Sequence, residues 1–244
     1  MLFLGLSTAC GLRQSPRMKP FPKLMLWAWE RPEDLRGLDP AKVGVAYLCQ
    51  TLTIRAERLE RSPRLQPLRV PERTVLMAVT RIEAARGAAL VPSPFLRDQI
   101  VEAVLHELRP GVKGIQLDFD AKLSERPFYT ELLKELRLRM DPTMPLSMTA
   151  LASWALFDDW IRDLPVDEAI PMCFDMGADA NLVHRRLAAH YDFRDPLARR
   201  STGVGLQEPP HWIPGNLFSP RRVYVFSHLP WTDKTLHDAL MRYG

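Results

Sequence analysis

Apolar residues recur along the chain in short runs that are typical of buried β-strands. Eight runs begin 19 to 40 residues apart, a spacing too wide for hairpins and suited to strand–helix units. The pattern predicts strands over Leu24–Trp29, Val43–Cys49, Thr74–Thr80, Gly114–Phe119, Leu146–Leu151, Ala169–Phe174, Thr202–Leu206 and Arg222–Ser227.

Helical periodicity fills several of the intervals between these strands. One helix is predicted after Ser93, which precedes a proline suited to a first helical turn, and another after Ser124. Two more are predicted over residues 181–191 and from Asp233 to the end. Two intervals lack this period. Residues 55–71 are expected to form a hairpin, and the proline-rich residues 208–220 a long loop.

Strands that alternate with helices form either a closed barrel or an open, doubly wound sheet. Open-sheet families that bind nucleotides carry a glycine-rich loop after the first strand. Here that strand ends in Trp27, Ala28, Trp29 and Glu30, without glycine. We therefore predict an α/β fold, a single (β/α)8 TIM barrel over residues 23–244, with weak helices after strands 2 and 7. Its site should lie at the carboxyl ends of the strands.

Composition and charge narrow the class of protein. The 244 residues are 46% hydrophobic and 25% charged, as in globular domains. The net charge of +4 is scattered, so we expect no nucleic-acid partner. Cys49 and Cys173 lie within strand runs and are predicted to be buried free thiols, and the histidines show no metal-binding spacing. We predict no metal, no cofactor and a monomer.

The first 22 residues resemble an export signal followed by a tether. Apolar and then small residues precede Cys10, as at the lipidation site of bacterial lipoproteins, and residues 11–22 are rich in proline. This start predicts an exported protein, periplasmic or attached to a membrane only through a lipid on Cys10. The alternative is a cytoplasmic protein with a frayed apolar terminus.

The predicted fourth strand carries the most informative polar residues. Side chains alternate along a strand, so Gln116, Asp118 and Asp120 share the face opposite to Ile115, Leu117 and Phe119. In a barrel, the polar face would line the interior and rise to the mouth. Burial and the charge of the neighbouring carboxylate should raise the pKa of one of the two aspartates, as a general acid requires. The alternative interpretation is a salt-bridged polar layer without chemistry.

This stretch resembles the fourth-strand motif of the chitinase-like glycoside hydrolases of family 18, D-G-x-D-x-D-x-E. The resemblance implies that Asp120 takes the place of the proton donor and Asp118 that of the aspartate that holds the substrate's acetamido group, while Gln116 replaces an earlier aspartate. The segment from Pro171 to Asp175 is similar to that family's M-x-Y-D, matching at Met172, Phe174 and Asp175. Asp120 is one methylene shorter than glutamate, and Phe174 lacks the tyrosine hydroxyl.

The chain as a whole resembles a bacterial family of exported barrel proteins, domain-of-unknown-function family 3142. That resemblance implies a fold and an exported location, and it implies no substrate.

Further residues at the predicted strand ends suit a sugar ligand. Five of the six tryptophans lie at or beyond a strand end, where their faces could stack on sugar rings. The substrate-binding candidates are Gln116, Trp29, Glu30, Tyr47, Met172, Phe174, Glu208 and Trp231. If an acetamido group is not the nucleophile, Asp175 or Glu208 would supply the second carboxylate.

Three functions remain open at this point. The first is a glycoside hydrolase that acts on a polysaccharide or oligosaccharide. The second is a non-catalytic glycan-binding barrel that has lost the chemistry. The third treats Asp118 and Asp120 as the D-x-D metal motif of a nucleotide-sugar transferase, for which the nucleotide-binding half is missing.

Overall fold

The computed structural model describes residues 14–85, 87, 89–207 and 213–244. These described residues form eleven strands: Leu24–Ala28 (β1), Glu33–Asp34 (β2), Val43–Arg55 (β3), Arg58–Pro63 (β4), Leu68–Arg69 (β5), Leu76–Ala84 (β6), Val112–Asp118 (β7), Leu146–Leu151 (β8), Glu168–Met172 (β9), Ser201–Gly205 (β10) and Arg222–Phe226 (β11). Eight of them are parallel neighbours in the order β1-β3-β6-β7-β8-β9-β10-β11, and β11 pairs with β1. The sheet is therefore closed, which confirms the predicted (β/α)8 barrel and all eight predicted strands.

The described residues form five α-helices outside the barrel: Pro94–Leu105 (α1), Arg126–Arg139 (α2), Ala152–Phe157 (α3), Ala180–Ala188 (α4) and Asp233–Tyr243 (α5). Ser93 begins α1 by accepting a hydrogen bond from the Leu96 amide, and Thr232 does the same for α5 through the Thr235 amide. These caps confirm the helix starts that the sequence predicts.

The intervals without a regular helix differ partly from the prediction. After β3 the chain turns into β4, which pairs antiparallel with β3, so the hairpin begins earlier than residue 55. After β10, the described residues contain only a 3-10 turn at Gly215–Leu217. The interval between β1 and β3 also lacks an α-helix: its β2 pairs with β5 instead. That third gap was not predicted.

The two faces of each barrel strand pack against different layers. Ile115, Leu117 and Phe119 of the β7 segment join the layer under the helices, as alternation predicts. Inside the barrel, Trp27 lies against Gly203 of β10, where an added Cβ would come within 2.9 Å of the indole. Gly203 is therefore required for the indole to occupy the barrel interior. Cys49 and Cys173 are buried free thiols, as predicted.

A buried ion pair closes the amino-terminal end of the barrel. Arg222 Nη1 donates to Glu168 Oε2 at 2.9 Å, and both side chains are at most 2% exposed. Tyr224 and Ser147 donate to the other carboxylate oxygen of Glu168. These partners satisfy a charge that would otherwise be costly to bury.

Residues 14–22 form the barrel floor together with this pair. Arg222 donates to the carbonyls of Met18, Phe21 and Pro22, and Met18 is 1% exposed. Sequence analysis assigned these residues to a tether. In the structure they pack against the barrel, where their carbonyls accept the guanidinium hydrogen bonds that Glu168 leaves unused.

None of the helices among the described residues is long and apolar enough to cross a membrane.

Arg222→Met should lower the free energy of unfolding by about 3–5 kcal/mol, because Glu168 would remain buried without its partner. Urea denaturation at pH 7 measures this. Arg36→Met removes an exposed ion pair with Asp34 and should leave stability nearly unchanged. Equal effects of the two substitutions would contradict the structural role of the buried pair.

Candidate active site

A cavity of about 260 Å³ opens at the carboxyl ends of the barrel strands, where the fold predicts a site. We call it the aspartate cavity. Its lining comes from β1, β6, β7, β8, β9 and β11 and the segments that follow them. It comprises Trp27, Trp29, Arg81, Asp118, Asp120, Thr149, Leu151, Ala152, Ser153, Met172, Phe174, Asp175, Met176, Asp179 and Phe226.

Asp118 and Asp120 lie together on the wall formed by β7. Asp118 is the last residue of the strand and is partly buried, whereas Asp120, two residues on, is exposed at the mouth. Asp118 Oδ1 accepts a hydrogen bond from Thr149 Oγ1 at 2.7 Å. The neighbouring strand β8 therefore fixes the position of the inner carboxyl group.

Both carboxyl groups have pKa values above that of an aspartate in water. Burial raises the pKa of Asp118 to about 6, the Thr149 hydrogen bond opposes this rise, and the charge of Asp120 adds to it. Asp120 is partly shielded from water by the cavity wall, and this desolvation raises its pKa, while the Arg81 guanidinium opposes the rise. Arg81 is the register neighbour of Asp118 on β6. The pair thus holds a proton closer to neutral pH than ordinary aspartates do.

Aromatic rings form the opposite wall of the cavity. Phe174 and Phe226 are stacked with centroids 5.0 Å apart and an interplanar angle of 9°, and Trp27 contacts Phe174 at 5.8 Å. Trp29 meets Phe226 edge-on at 6.0 Å. Such faces pack well against the C–H faces of sugar rings.

Asp175 lies at the rim of the same cavity. Its backbone has a φ of 50°, a left-handed conformation that is uncommon for residues other than glycine. Its carboxylate is 3.2 Å from His228 Nε2, on the segment after β11. The structure therefore brings all three predicted catalytic aspartates to one cavity, together with the substrate-binding candidates Trp29, Met172 and Phe174.

A second, polar cavity of about 540 Å³ lies beside the aspartate cavity, and Arg81 lines both. We call it the polar groove. It is lined by Glu30, Leu48, Gln50, Thr51, Thr53, Ser62, Pro63, Arg64, Gln66, Arg81 and Glu83. The candidate Glu30 thus faces this groove and not the aspartates.

Besides Glu30, three predicted binding residues do not reach the aspartate cavity, which corrects those predictions. Gln116 is fully buried below it and accepts a hydrogen bond from Trp27 Nε1 at 2.7 Å. Tyr47 faces the helix layer, because Ala46 and Leu48 occupy the interior positions of β3. Trp231 is 4% exposed in the outer core, where its indole donates to the Trp27 carbonyl.

The predicted rim of tryptophans is wrong for two of its four described members, Trp154 and Trp231. Of the tryptophans that the structure describes, only Trp27 and Trp29 line the cavity. Trp154 packs edge-on against Trp160 in the helix layer, beside Arg126. Glu208, Trp212 and Cys10 lie outside the described residues.

Phe226, Met176 and Asp179 line the cavity without having been predicted. Alternation along the eighth barrel strand places Arg222, Tyr224 and Phe226 on one face, and this signal could have identified the last ring. Met176 and Asp179 follow the strand end in a loop, where alternation gives no guidance. Within the described residues, no group of three or more His, Cys, Asp or Glu side chains could hold a metal ion.

Structural comparison finds solved structures with a similar barrel fold. A candidate chitinase A from Streptomyces coelicolor superposes with a TM-score of 0.55 at 10% identity, over 90% of this chain and 94% of that chain. At this identity the likeness shows the fold alone.

Two further solved structures align less closely. The Bacillus cereus spore cortex-lytic enzyme SleL gives a TM-score of 0.49 at 15% identity, over 75% of this chain and 50% of SleL. The chitinase domain of the spore coat protein CotE from Clostridium difficile gives 0.42 at 15% identity, over 67% of this chain and 53% of that chain. The chain thus spans about half the length of either structure. No protein-family model and no curated protein matches the chain.

Asp118→Asn should change how stability depends on pH. A carboxyl group whose folded pKa is raised from 3.8 to about 6 contributes stability below pH 4 that is lost as pH rises through 6. The variant should therefore gain on the parent protein by up to about 3 kcal/mol between pH 4 and pH 7. Chemical denaturation across this range measures the difference. Asp98→Asn on α1 controls for the loss of one negative charge, and a pH-independent difference at position 118 would contradict the burial of that carboxyl group.

Proposed function

We propose that this protein is a glycoside hydrolase-like barrel that cleaves a polysaccharide in the aspartate cavity. The observation that carries the proposal is the Asp118–Asp120 pair, whose carboxyl groups have raised pKa values and face an aromatic wall. Proton donors with raised pKa values and aromatic platforms are what glycoside cleavage requires. The shared fold with a candidate chitinase A supports the same class of substrate.

Asp120 is the proposed general acid, because it is the member of the pair that is exposed at the mouth of the barrel. Its proton passes to the leaving glycosidic oxygen as the bond from that oxygen to the anomeric carbon breaks. Water then supplies a hydroxyl group to the anomeric carbon, and the second proton of that water returns to Asp120. Asp118 stabilises the pair by holding a proton near neutral pH and accepting the Thr149 hydrogen bond.

Asp175 is the proposed second carboxylate. It lines the same cavity, and its partner His228 keeps it at the rim. A negative charge there would stabilise the positive charge that develops on the sugar ring as the glycosidic bond breaks. The aromatic wall would hold the ring against Phe174 and Phe226 while this happens.

Two departures from the family-18 motif favour a second candidate function, glycan binding without turnover. Phe174 offers no hydroxyl to an acetamido oxygen, and Asp120 is one methylene shorter than the family's glutamate. Both changes weaken a mechanism that uses the acetamido group as nucleophile, and neither removes the aromatic wall. An assay of cleavage run beside an assay of binding separates the two functions.

Membership in domain-of-unknown-function family 3142 and export with a lipid on Cys10 belong to the same proposal. The apolar and small residues before Cys10 support export and lipidation. A polysaccharide of the cell envelope or the surroundings would be met there.

Mass spectrometry tests the proposed export and the lipid on Cys10. The gene with its upstream region, expressed in a bacterial host, should yield a membrane-associated chain that begins at a lipid-modified Cys10. Cys10→Ala should lose the lipid. An unprocessed parent chain in the cytosol would contradict export.

Asp120→Asn should reduce turnover by about 10²–10⁴-fold and leave glycan binding and thermal stability nearly unchanged, because the amide keeps the shape and loses the proton. The measurement is release of reducing ends from chitin, chitosan, peptidoglycan and cellulose, beside binding to the same polymers. In the parent protein, turnover should decline as pH rises and the general acid loses its proton, and the raised pKa of Asp120 should place this decline above the pH at which an ordinary aspartate ionises.

Asp98→Asn, at a position on α1 outside the cavity, should retain full turnover. Binding without turnover in the parent protein would favour the glycan-binding function. Turnover that survives Asp120→Asn would assign the chemistry to another carboxylate. If the protein neither binds nor cleaves any of the polymers, the proposal is overturned.

A further inference from the structure

Two strands continue beyond the rim of the barrel and carry a polar surface with them. β3 has 13 residues and β6 has nine, whereas the other barrel strands have five to seven. β4 pairs with the outer half of β3 and widens this extension to three strands. The polar groove lies on this extension.

The strand register forms a row of polar side chains that leads away from the acidic pair. Asp118 pairs with Arg81, Arg81 with Thr51, and Thr51 with Ser62. In-register neighbours share one face of a sheet, and three strand spacings span about 14 Å. The row therefore leads from the acidic pair across the three-strand extension.

The groove has the chemistry of a site for a neutral, hydroxyl-rich ligand. Thr51, Thr53 and Ser62 carry hydroxyl groups that both donate and accept hydrogen bonds, and the exposed Gln66 amide lies beside them. The charged lining balances, with Glu30 and Glu83 against Arg64 and Arg81.

The groove is also held in shape before any ligand arrives. Arg64 ties the end of β4 to the segment that follows β1 by donating to the carbonyls of Trp29 and Arg31. Gln50 is fixed by Arg61 and by the Thr80 hydroxyl. A rigid polar surface loses little entropy when it binds.

Arg81 forms the boundary between the groove and the aspartate cavity. Its closest charged partner is Glu83 at 3.5 Å, and the side chain is 40% exposed. Its guanidinium can therefore donate to a ligand that passes from one cavity to the other.

We propose that the polar groove binds further sugar units of the glycan whose reacting unit lies in the aspartate cavity. The inference rests on the proposed function and deepens it: the substrate is a chain of several neutral sugar units and not a disaccharide. Arg81 contacts the unit that connects the two cavities.

Binding of short and long oligosaccharides tests this. The probes are dimers and hexamers of β-1,4-linked N-acetylglucosamine and glucose, measured by calorimetry on the full chain carrying Asp120→Asn, which prevents turnover. At least one hexamer should bind at least tenfold more tightly than its dimer. Adding Thr51→Val and Thr53→Val should weaken the hexamer by about 5- to 30-fold and change the dimer less than twofold, since two hydroxyl groups are lost at nearly constant shape.

Thr143→Val, on the loop before β8 at the opposite end of the barrel, is the matched control and should change neither affinity. Circular dichroism and thermal unfolding establish that each variant is folded, and Ser62→Ala repeats the test on β4 if the double substitution unfolds the hairpin. Equal affinity for dimer and hexamer, or a hexamer affinity unchanged by these substitutions, overturns the groove and leaves the proposed function standing. Failure of every probe to bind overturns both.

Discussion

The ion pair between Glu168 and Arg222 is the interaction on which the rest of the barrel depends. Both charges lie inside the closed sheet, where an unpaired charge would strongly destabilise the folded state. Their mutual hydrogen bond leaves the guanidinium with unused donors, and the carbonyls of residues 18–22 accept them. The amino-terminal segment is thereby fixed beneath β9 and β11, and the interior layers above, including Tyr224 and Trp27, rest on a closed floor.

The acidic pair at the other end results from a balance between burial and local charge. Burial favours the protonated forms of Asp118 and Asp120, whereas Arg81 and the Thr149 hydroxyl favour the ionised forms. The outcome for Asp118 is a pKa of about 6, neither that of a surface carboxylate nor that of a permanently neutral group. A carboxyl group with this pKa can both hold and release a proton near neutral pH.

The strands and the acidic pair were accessible from the sequence because they depend on local periodicity. Alternation along one strand is enough to place Asp118 and Asp120 on the interior face. Tyr47 and Trp231 were misassigned because proximity to a strand end does not say which face a side chain takes. The floor was missed since Arg222 and Glu168 are 54 residues apart in sequence and meet only after the sheet closes.

Gly203 sets the depth of the aspartate cavity without lining it. The Trp27 indole lies over this glycine, and even one methyl group there would displace the ring. Displacement toward the mouth would fill the space above the aspartates, since the same indole lines the cavity. The size of the molecule that the barrel can accept is thus determined from below, by a residue that no ligand would touch.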